Sequence, residues 1–151
     1  MHPTAYADQF TAATQHAMRV LTDAITQGIG EQRHHDPWVH AQADALIRTL
    51  TAGITYPCSH IGPVPQLAQA AVWAPGRLAC PACAPLWLTP DAVEETTCDQ
   101  CRRPSRQLYA GMVNVGPVLL AYGRCHRCLK ATLRHQPRRL ATGQGSSTRG
   151  R

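Results

Sequence analysis

Four close pairs of metal-type donors govern what this chain can become: Cys58-Ser59-His60, Cys80-Pro81-Ala82-Cys83, Cys98-Asp99-Gln100-Cys101 and Cys125-His126-Arg127-Cys128. They use all seven cysteines and one histidine, which makes two complete tetrahedral sets. A pair of donors two or three residues apart can aim both at one ion, so this spacing is a strong zinc signal. The chain also needs such a staple. It has one Phe, three Trp and four Tyr in 151 residues, too few large side chains for an ample core, and small units short of core are held by metal or disulfides.

Disulfides are the competing use of the cysteines. Met1 is followed by His2-Pro3-Thr4, with no basic start and no long apolar run. Neither a secretory leader nor a membrane span of about 18 apolar residues is expected. A cytoplasmic location follows as the expectation, and reduced paired thiols there favour metal. We therefore expect two Zn2+ per chain, both structural, because four protein donors leave no open position for water or substrate. Two pairing schemes are open. Sequential pairing puts Cys58, His60, Cys80 and Cys83 on one ion and Cys98, Cys101, Cys125 and Cys128 on the other. Cross-bracing would join the first pair to the third and the second to the fourth. Sequential pairing is preferred, because a β-hairpin between two pairs closes a short loop at small entropic cost.

The net charge of +6 conceals an uneven distribution. Residues 1–57 sum to −2, residues 58–101 to −3 and residues 102–151 to +11, and no acidic residue follows Asp99. A basic end of this kind fits an anionic partner, DNA or RNA first and an acidic protein second. The candidate contacts are Arg102, Arg103, Arg106, Arg124, Arg127, Lys130, Arg134, Arg138 and Arg139. On a helix, Arg127, Lys130, Arg134 and Arg138 recur at steps of three and four and share a face. A solubilising face without a partner is the plain alternative.

Along the chain, Tyr6, Phe10, Ala13, Ala17, Leu21 and Ala24 mark an amphipathic helix over 4–27, ended at Gly28-Ile29-Gly30. Asp36-Pro37 reads as an N-cap with proline at the first helical position. Val39, Ala43, Leu46, Ile47 and Leu50 then form the stripe of a second helix. These two helices are expected to form a hairpin that packs on the zinc module or pairs with a second copy. Ala74-Pro75-Gly76 reads as a β-turn between Ala71-Val72-Trp73 and Arg77-Leu78-Ala79. Thr89-Pro90-Asp91 resembles a capped turn running to Glu95. Gln107–Val113 and Val118–Tyr122 are strand-like, joined through Asn114–Pro117, and Leu129 to Arg139 has helical character. Residues 143–151 have the composition of a disordered tail. The expected organisation is α+β: a helical hairpin at 1–55, a first zinc unit at 56–97, a second at 98–141 and a basic tail at 142–151.

The order ligand pair, hairpin, Cys-x-x-Cys, short helix occurs twice over residues 58–140. It resembles the treble-clef and zinc-ribbon families, and Cys125-His126-Arg127-Cys128-Leu129-Lys130 suits the treble-clef placement of the second pair at a helix start. The whole is similar to zinc-finger proteins of actinobacteria and their phages. Cys58-Ser59-His60-Ile61 also resembles the opening of ubiquitin-binding UBP-type fingers, but the later ligand pattern differs, so ubiquitin binding is not implied.

Three weaker features have simpler readings. His34, His35 and His40, with Glu31 or Asp36, are a possible third metal group but read better as a solvated loop. His126 competes as a ligand, though its pair is already complete. Trp73 and Trp87 are possible base-stacking platforms or packing residues of the small cores, the latter preferred. No His-x-Glu accompanies a Pro-Cys-x-x-Cys, so the zinc deaminase pattern is missing and no enzyme is expected. Three functions stand in order: a nucleic-acid-binding zinc finger, a protein-interaction adaptor, and a thiol redox protein, which metal ligation would mask.

Overall fold

A computed structural model describes residues 3–28 and 36–135, with side chains described for 4–28 and 36–132. Helix α1 (Pro3–Thr26) presents Ala13, Ala17 and Leu21 as its buried stripe. It ends where Gly28, at φ 78°, returns its N–H to the Ile25 carbonyl at 2.9 Å, a left-handed close that glycine makes without a Cβ clash. Helix α2 (Pro37–Thr51) begins as its sequence predicts. Asp36 Oδ1 accepts from the N–H groups of Trp38 at 3.0 Å and Val39 at 3.3 Å. Those are two donors that the first helical turn leaves unpaired.

Strands β1 (Tyr56–Pro57) and β3 (Arg77–Leu78) form a small parallel pair. Strands β2 (Ala68–Ala71), β4 (Leu108–Val115) and β5 (Val118–Cys125) form the main sheet in the order β2-β5-β4. The β4–β5 hairpin runs antiparallel from Leu108 opposite Cys125 to Val115 opposite Val118. Its strands reach further than expected, so only Gly116-Pro117 makes the turn, with Gly116 at φ 58°. A glycine at the first turn position is the Gly-first hairpin pattern. Helix α3 (Ala84–Trp87) follows the second ligand pair, and a 3₁₀ turn over Glu94–Thr96 follows it. Asp91 Oδ1 caps that turn through the N–H groups of Val93 and Glu94. Helix α4 (His126–His135) starts three residues before the expected Leu129, which places Cys128 in its first turn.

Two expectations are corrected. The N-terminal helices pack on the sheet of the cysteine-rich module, as one expected arrangement has it, but not as a hairpin: they lie on opposite faces of the main sheet. Alternation along β5 shows it: Leu119 packs with Ala17 and Leu21 of α1, whereas Val118 and Leu120 pack with Leu46 of α2. A strand of apolar residues buried on both sides needs a cover on each face, and each helix supplies one. Secondly, Ala71-Val72-Trp73 does not form a regular hairpin with Arg77-Leu78-Ala79. The turn at Ala74–Arg77 is present, with a single antiparallel bridge between Gln69 and Ala79. The remaining hydrogen bonds of β2 go to β5 in parallel, Ala68 opposite Val118 through Ala71 opposite Ala121. The segment between the first two ligand pairs is therefore an edge strand of the sheet that carries the last pair.

Gly111 and Tyr122 face each other across β4 and β5. A Cβ on Gly111 would stand 2.2 Å from Tyr122 Cε2. The bare glycine lets the Tyr122 ring lie over the strand and meet Trp38 edge-on at 5.6 Å between centroids. Trp73 belongs to the small core around Ala71, Ala79, Ala84 and Leu88, and its Nε1 donates to the Leu88 carbonyl at 2.7 Å. Its indole is thus used in packing. No helix among the described residues is long and apolar enough to cross a membrane.

Candidate metal centres

The four donor pairs come together in sequential order. Cys58, His60, Cys80 and Cys83 form one cluster and Cys98, Cys101, Cys125 and Cys128 the other, with the ligand atoms of each set all within 4.8 Å of one another. Backbone pairing explains the order. The Cys58 N–H donates to the Leu78 carbonyl at 2.8 Å, which sets the first pair beside the strand that leads to Cys80. In the second set, the Asp99 N–H donates to the Gly123 carbonyl at 2.9 Å and the Gly123 N–H donates to Asp99 Oδ2 at 2.6 Å. This double link pins the Cys98–Cys101 knuckle to the end of β5, where Cys125 lies. The knuckle closes with the Arg102 N–H on the Cys98 carbonyl, and Arg102 itself adopts φ 54°.

The sulfur separations fit an ion and not a disulfide. Four sulfurs held at about 2.3 Å from a tetrahedral ion stand about 3.8 Å apart. Cys98 and Cys128 Sγ are 3.8 Å apart, and Cys101 and Cys125 Sγ 3.9 Å. All seven cysteines are free thiols. In the first set His60 turns Nδ1 inward, 3.1 Å from Cys83 Sγ. The sets differ in exposure: Cys98 and Cys128 are buried, whereas in the first set only Cys58 is buried and His60 is exposed. Each set can hold a metal ion.

One hydrogen bond repeats across the two sets. Cys80 N–H donates to Cys58 Sγ, and Cys125 N–H donates to Cys98 Sγ, each at 3.3 Å. The first sulfur of each set accepts from the first residue of its partner pair, so the internal repeat in the sequence is also a repeat of electrostatics. The Cys80 N–H is the main reason that the Cys58 thiol is lowered from 9.0 to about 6. Burial pushes the Cys98 thiol up, but the N–H groups of Cys101, Cys125 and Gln100 outweigh it and bring it from 9.0 to about 7. The last thiol of each set moves the other way. Cys83 is raised to about 11, chiefly by its hydrogen bond with Cys80, and Cys128 is raised further, chiefly by burial. Crowded thiols resist losing their last protons unless a cation sits among them.

The expected basic set is not one surface. Arg124 is fully buried and its Nη1 pairs with Asp36 Oδ2, so it is removed from the candidate contacts. It occupies the same strand face as the buried Val118, Leu120 and Tyr122, and that period of two was the available sequence signal. Arg102 is turned back onto its knuckle, 2.6 Å from Glu94 and 3.6 Å from Asp99. Arg103, Arg106, Arg127 and Lys130 are exposed. Arg134 lies within α4, and Arg138 and Arg139 lie outside the described residues. His126 stands apart from the ligand sets, its ring 6.0 Å from that of Tyr109. Of the imagined third metal group, His34, His35 and Glu31 lie outside the described residues, and Asp36 caps α2. Trp87 is 41% exposed and donates from Nε1 to the Tyr56 carbonyl at 3.4 Å.

No protein family, curated protein or solved structure matches the chain.

Proposed function

We propose that this chain is a non-enzymatic protein with two structural Zn2+ ions, and that it holds nucleic acid through the basic surface of its C-terminal half. The observation that carries the zinc reading is the second ligand set, whose sulfur separations of 3.8 and 3.9 Å match the edges of a tetrahedral tetrathiolate site. Thiolate-rich donor sets suit zinc, and four protein donors at each ion leave no position for substrate. The sequence of knuckle, β4–β5 hairpin and α4, with Cys125 and Cys128 at the helix start, supports a treble-clef assignment for residues 98–135.

The nucleic-acid part rests on charge. Arg103, Arg106, Arg127 and Lys130 are exposed, and no carboxylate follows Asp99. Exposed cations of one sign hold phosphates, and their affinity falls steeply with salt. A second reading, a protein-interaction adaptor, is favoured by apolar exposure beside the first ligand set: Leu86 is 88% exposed, with Tyr56 and Trp87 also open to solvent.

Native mass spectrometry should find two zinc ions per chain. Binding of the loaded protein to mixed-sequence DNA and RNA at two salt concentrations then separates the readings. Salt-sensitive binding that weakens when Arg103, Arg106, Arg127 and Lys130 become Gln supports the nucleic-acid role. Absence of binding at low salt removes it and leaves the adaptor reading.

A further inference from the structure

One side chain touches every segment that carries the second ligand set. Arg124 immediately precedes the ligand Cys125 at the end of β5. Its Nη1 donates to Asp36 Oδ2, to Gln100 Oε1 at 3.3 Å and to Thr132 Oγ1 at 3.5 Å. Gln100 lies inside the Cys98–Cys101 knuckle. Thr132 stands one turn beyond Cys128 on α4 and donates to the Cys128 carbonyl at 3.4 Å. Asp36 belongs to neither metal unit: it is the N-cap of α2, 88 positions away. The guanidinium carbon lies 5.3 Å from the Trp38 ring centroid and 5.4 Å from that of Tyr122, so the first turn of α2 also forms a wall of its pocket.

The charges give this contact a direction. Four thiolates around a divalent cation carry a net charge of about −2, and a nearby cation offsets part of it. Arg124 bears on the site through the segments that carry the ligands, by way of Gln100 and Thr132. Its Nε and Nη2 are buried without a protein partner, so its charge depends heavily on Asp36. Groups that orient metal ligands from behind commonly change metal affinity about 10–100-fold when removed.

We infer that Asp36 and Arg124 are positioning residues for the metal at the second site, and that filling this site and docking α2 on the sheet are one coupled equilibrium. The inference rests on the zinc reading above but not on nucleic-acid binding. With the site empty, the knuckle and α4 lose the ion that joins them. Gln100 and Thr132 no longer converge on Arg124, and the pocket that receives Asp36 opens. With Asp36 neutralised, Arg124 is a buried cation without its counter-charge, and the strand end and helix it spans lose their alignment. Linkage makes the two effects reciprocal: whatever the metal contributes to docking α2, docked α2 contributes to holding the metal.

The test uses the full chain and has two arms. In the first, Asp36→Asn keeps a capping oxygen at the start of α2 but removes the charge. Chelator competition on the Co2+-loaded protein, with the tetrathiolate and the three-thiolate, one-imidazole sites followed by their distinct absorption bands, gives an affinity for each site. Expected is a loss of about 10–100-fold at the second site, with the first site unchanged. In the second arm, Cys101→Ser empties the second site and Cys83→Ser the first, and hydrogen exchange is read at the α2 amides, including Val39. Cys101→Ser should lose protection in the first turn of α2, at Val39; Cys83→Ser should spare that turn, since its effect enters through Leu78 and Ala70 around Leu46, further along the helix. Equal weakening of both sites in Asp36→Asn, or no weakening, overturns the inference, as does full protection of that turn in Cys101→Ser. If Cys101→Ser does not fold at all, the affinities of Asp36→Asn decide alone. A wild-type chain that takes up no metal removes the zinc reading itself, and the inference with it. Two ions bound with independent α2 protection removes only the coupling.

Discussion

Asp36 and Arg124 form an ion pair in which both side chains are almost wholly shielded from solvent. The same carboxylate caps α2 with its other oxygen. One group thus caps a helix and neutralises a buried cation next to Cys125 of the second donor set. Breaking a buried pair from one side strands a charge and costs about 3–5 kcal/mol, whereas replacing both partners by apolar groups of similar size is far milder. Arg124→Met should lower stability by about that amount, and Asp36→Leu by about 1 kcal/mol more, because it also removes the cap of α2. The double variant should lose much less than the sum of the two. Denaturant unfolding of the three variants gives the coupling energy directly, and strict additivity would contradict the pairing.

The thiols set a pH optimum for the metal-free fold. Cys58 falls from 9.0 to about 6 on folding, so its contribution is complete above pH 9 and is lost as pH falls through 6. Cys98, lowered to about 7, acts in the same sense. Cys83 rises from 9.0 to about 11, so its contribution is complete below pH 9 and is lost as pH rises through 11. The stability of the chelated protein should therefore peak near pH 9, since linkage follows the difference in bound protons. Circular dichroism melts from pH 6 to pH 11 with chelator present would show this, and a curve falling steadily across that range would not fit.

Gly111 is where the sheet leaves room for Tyr122. Forcing a methyl group into a filled contact usually costs about 1–3 kcal/mol. Gly111→Ala should destabilise the protein by that order and disturb the Tyr122–Trp38 contact, which tryptophan fluorescence reads. Combining it with Tyr122→Val should recover part of the loss. No interaction between the two substitutions would mean that the clash is relieved elsewhere.

Arg102 adopts a left-handed backbone, which costs a residue with a Cβ about 1–2 kcal/mol. Its ion pair with Glu94 lies near the surface and returns little, about 0–1 kcal/mol, and the buried Asp99 keeps the Gly123 N–H as a partner without it. Arg102→Gly should therefore be neutral or stabilising, whereas Arg102→Ala keeps the strain and loses the pairs. Comparing melting temperatures of the two variants tests the balance. A lower melting temperature for Arg102→Gly than for Arg102→Ala would show that the strain assignment is wrong.

The parts legible in the sequence were those with short-range signatures. The donor pairs announced their clusters because Cys-x-x-Cys fixes geometry within a few residues. Asp36-Pro37 announced the start of α2, and Asn114–Pro117 the region of the hairpin turn, which the longer strands narrow to Gly116-Pro117. What stayed hidden depended on distant partners. Nothing near Ala68–Ala71 says that it pairs with Val118–Ala121 instead of folding back on Arg77–Ala79, because the choice is made by a strand some fifty residues later that must be covered on both edges. Arg124 read as a surface charge because arginine usually is one. Its place at the end of the alternation Val118, Leu120, Tyr122 was the clue, and Asp36 already had a sufficient local role as a cap.

The parallel pairing of β2 with β5 also bears on solubility. A chain shortened to begin at the Cys98 knuckle would retain four complete ligands, the β4–β5 hairpin and α4. It would also bare one long edge of β5 along Val118-Leu119-Leu120-Ala121, a row of unpaired amides flanked by aliphatic side chains. Such an edge is a template for joining further chains. The segment carrying the first donor set thus also guards the second unit: it fills the hydrogen-bonding edge to which further chains could otherwise add.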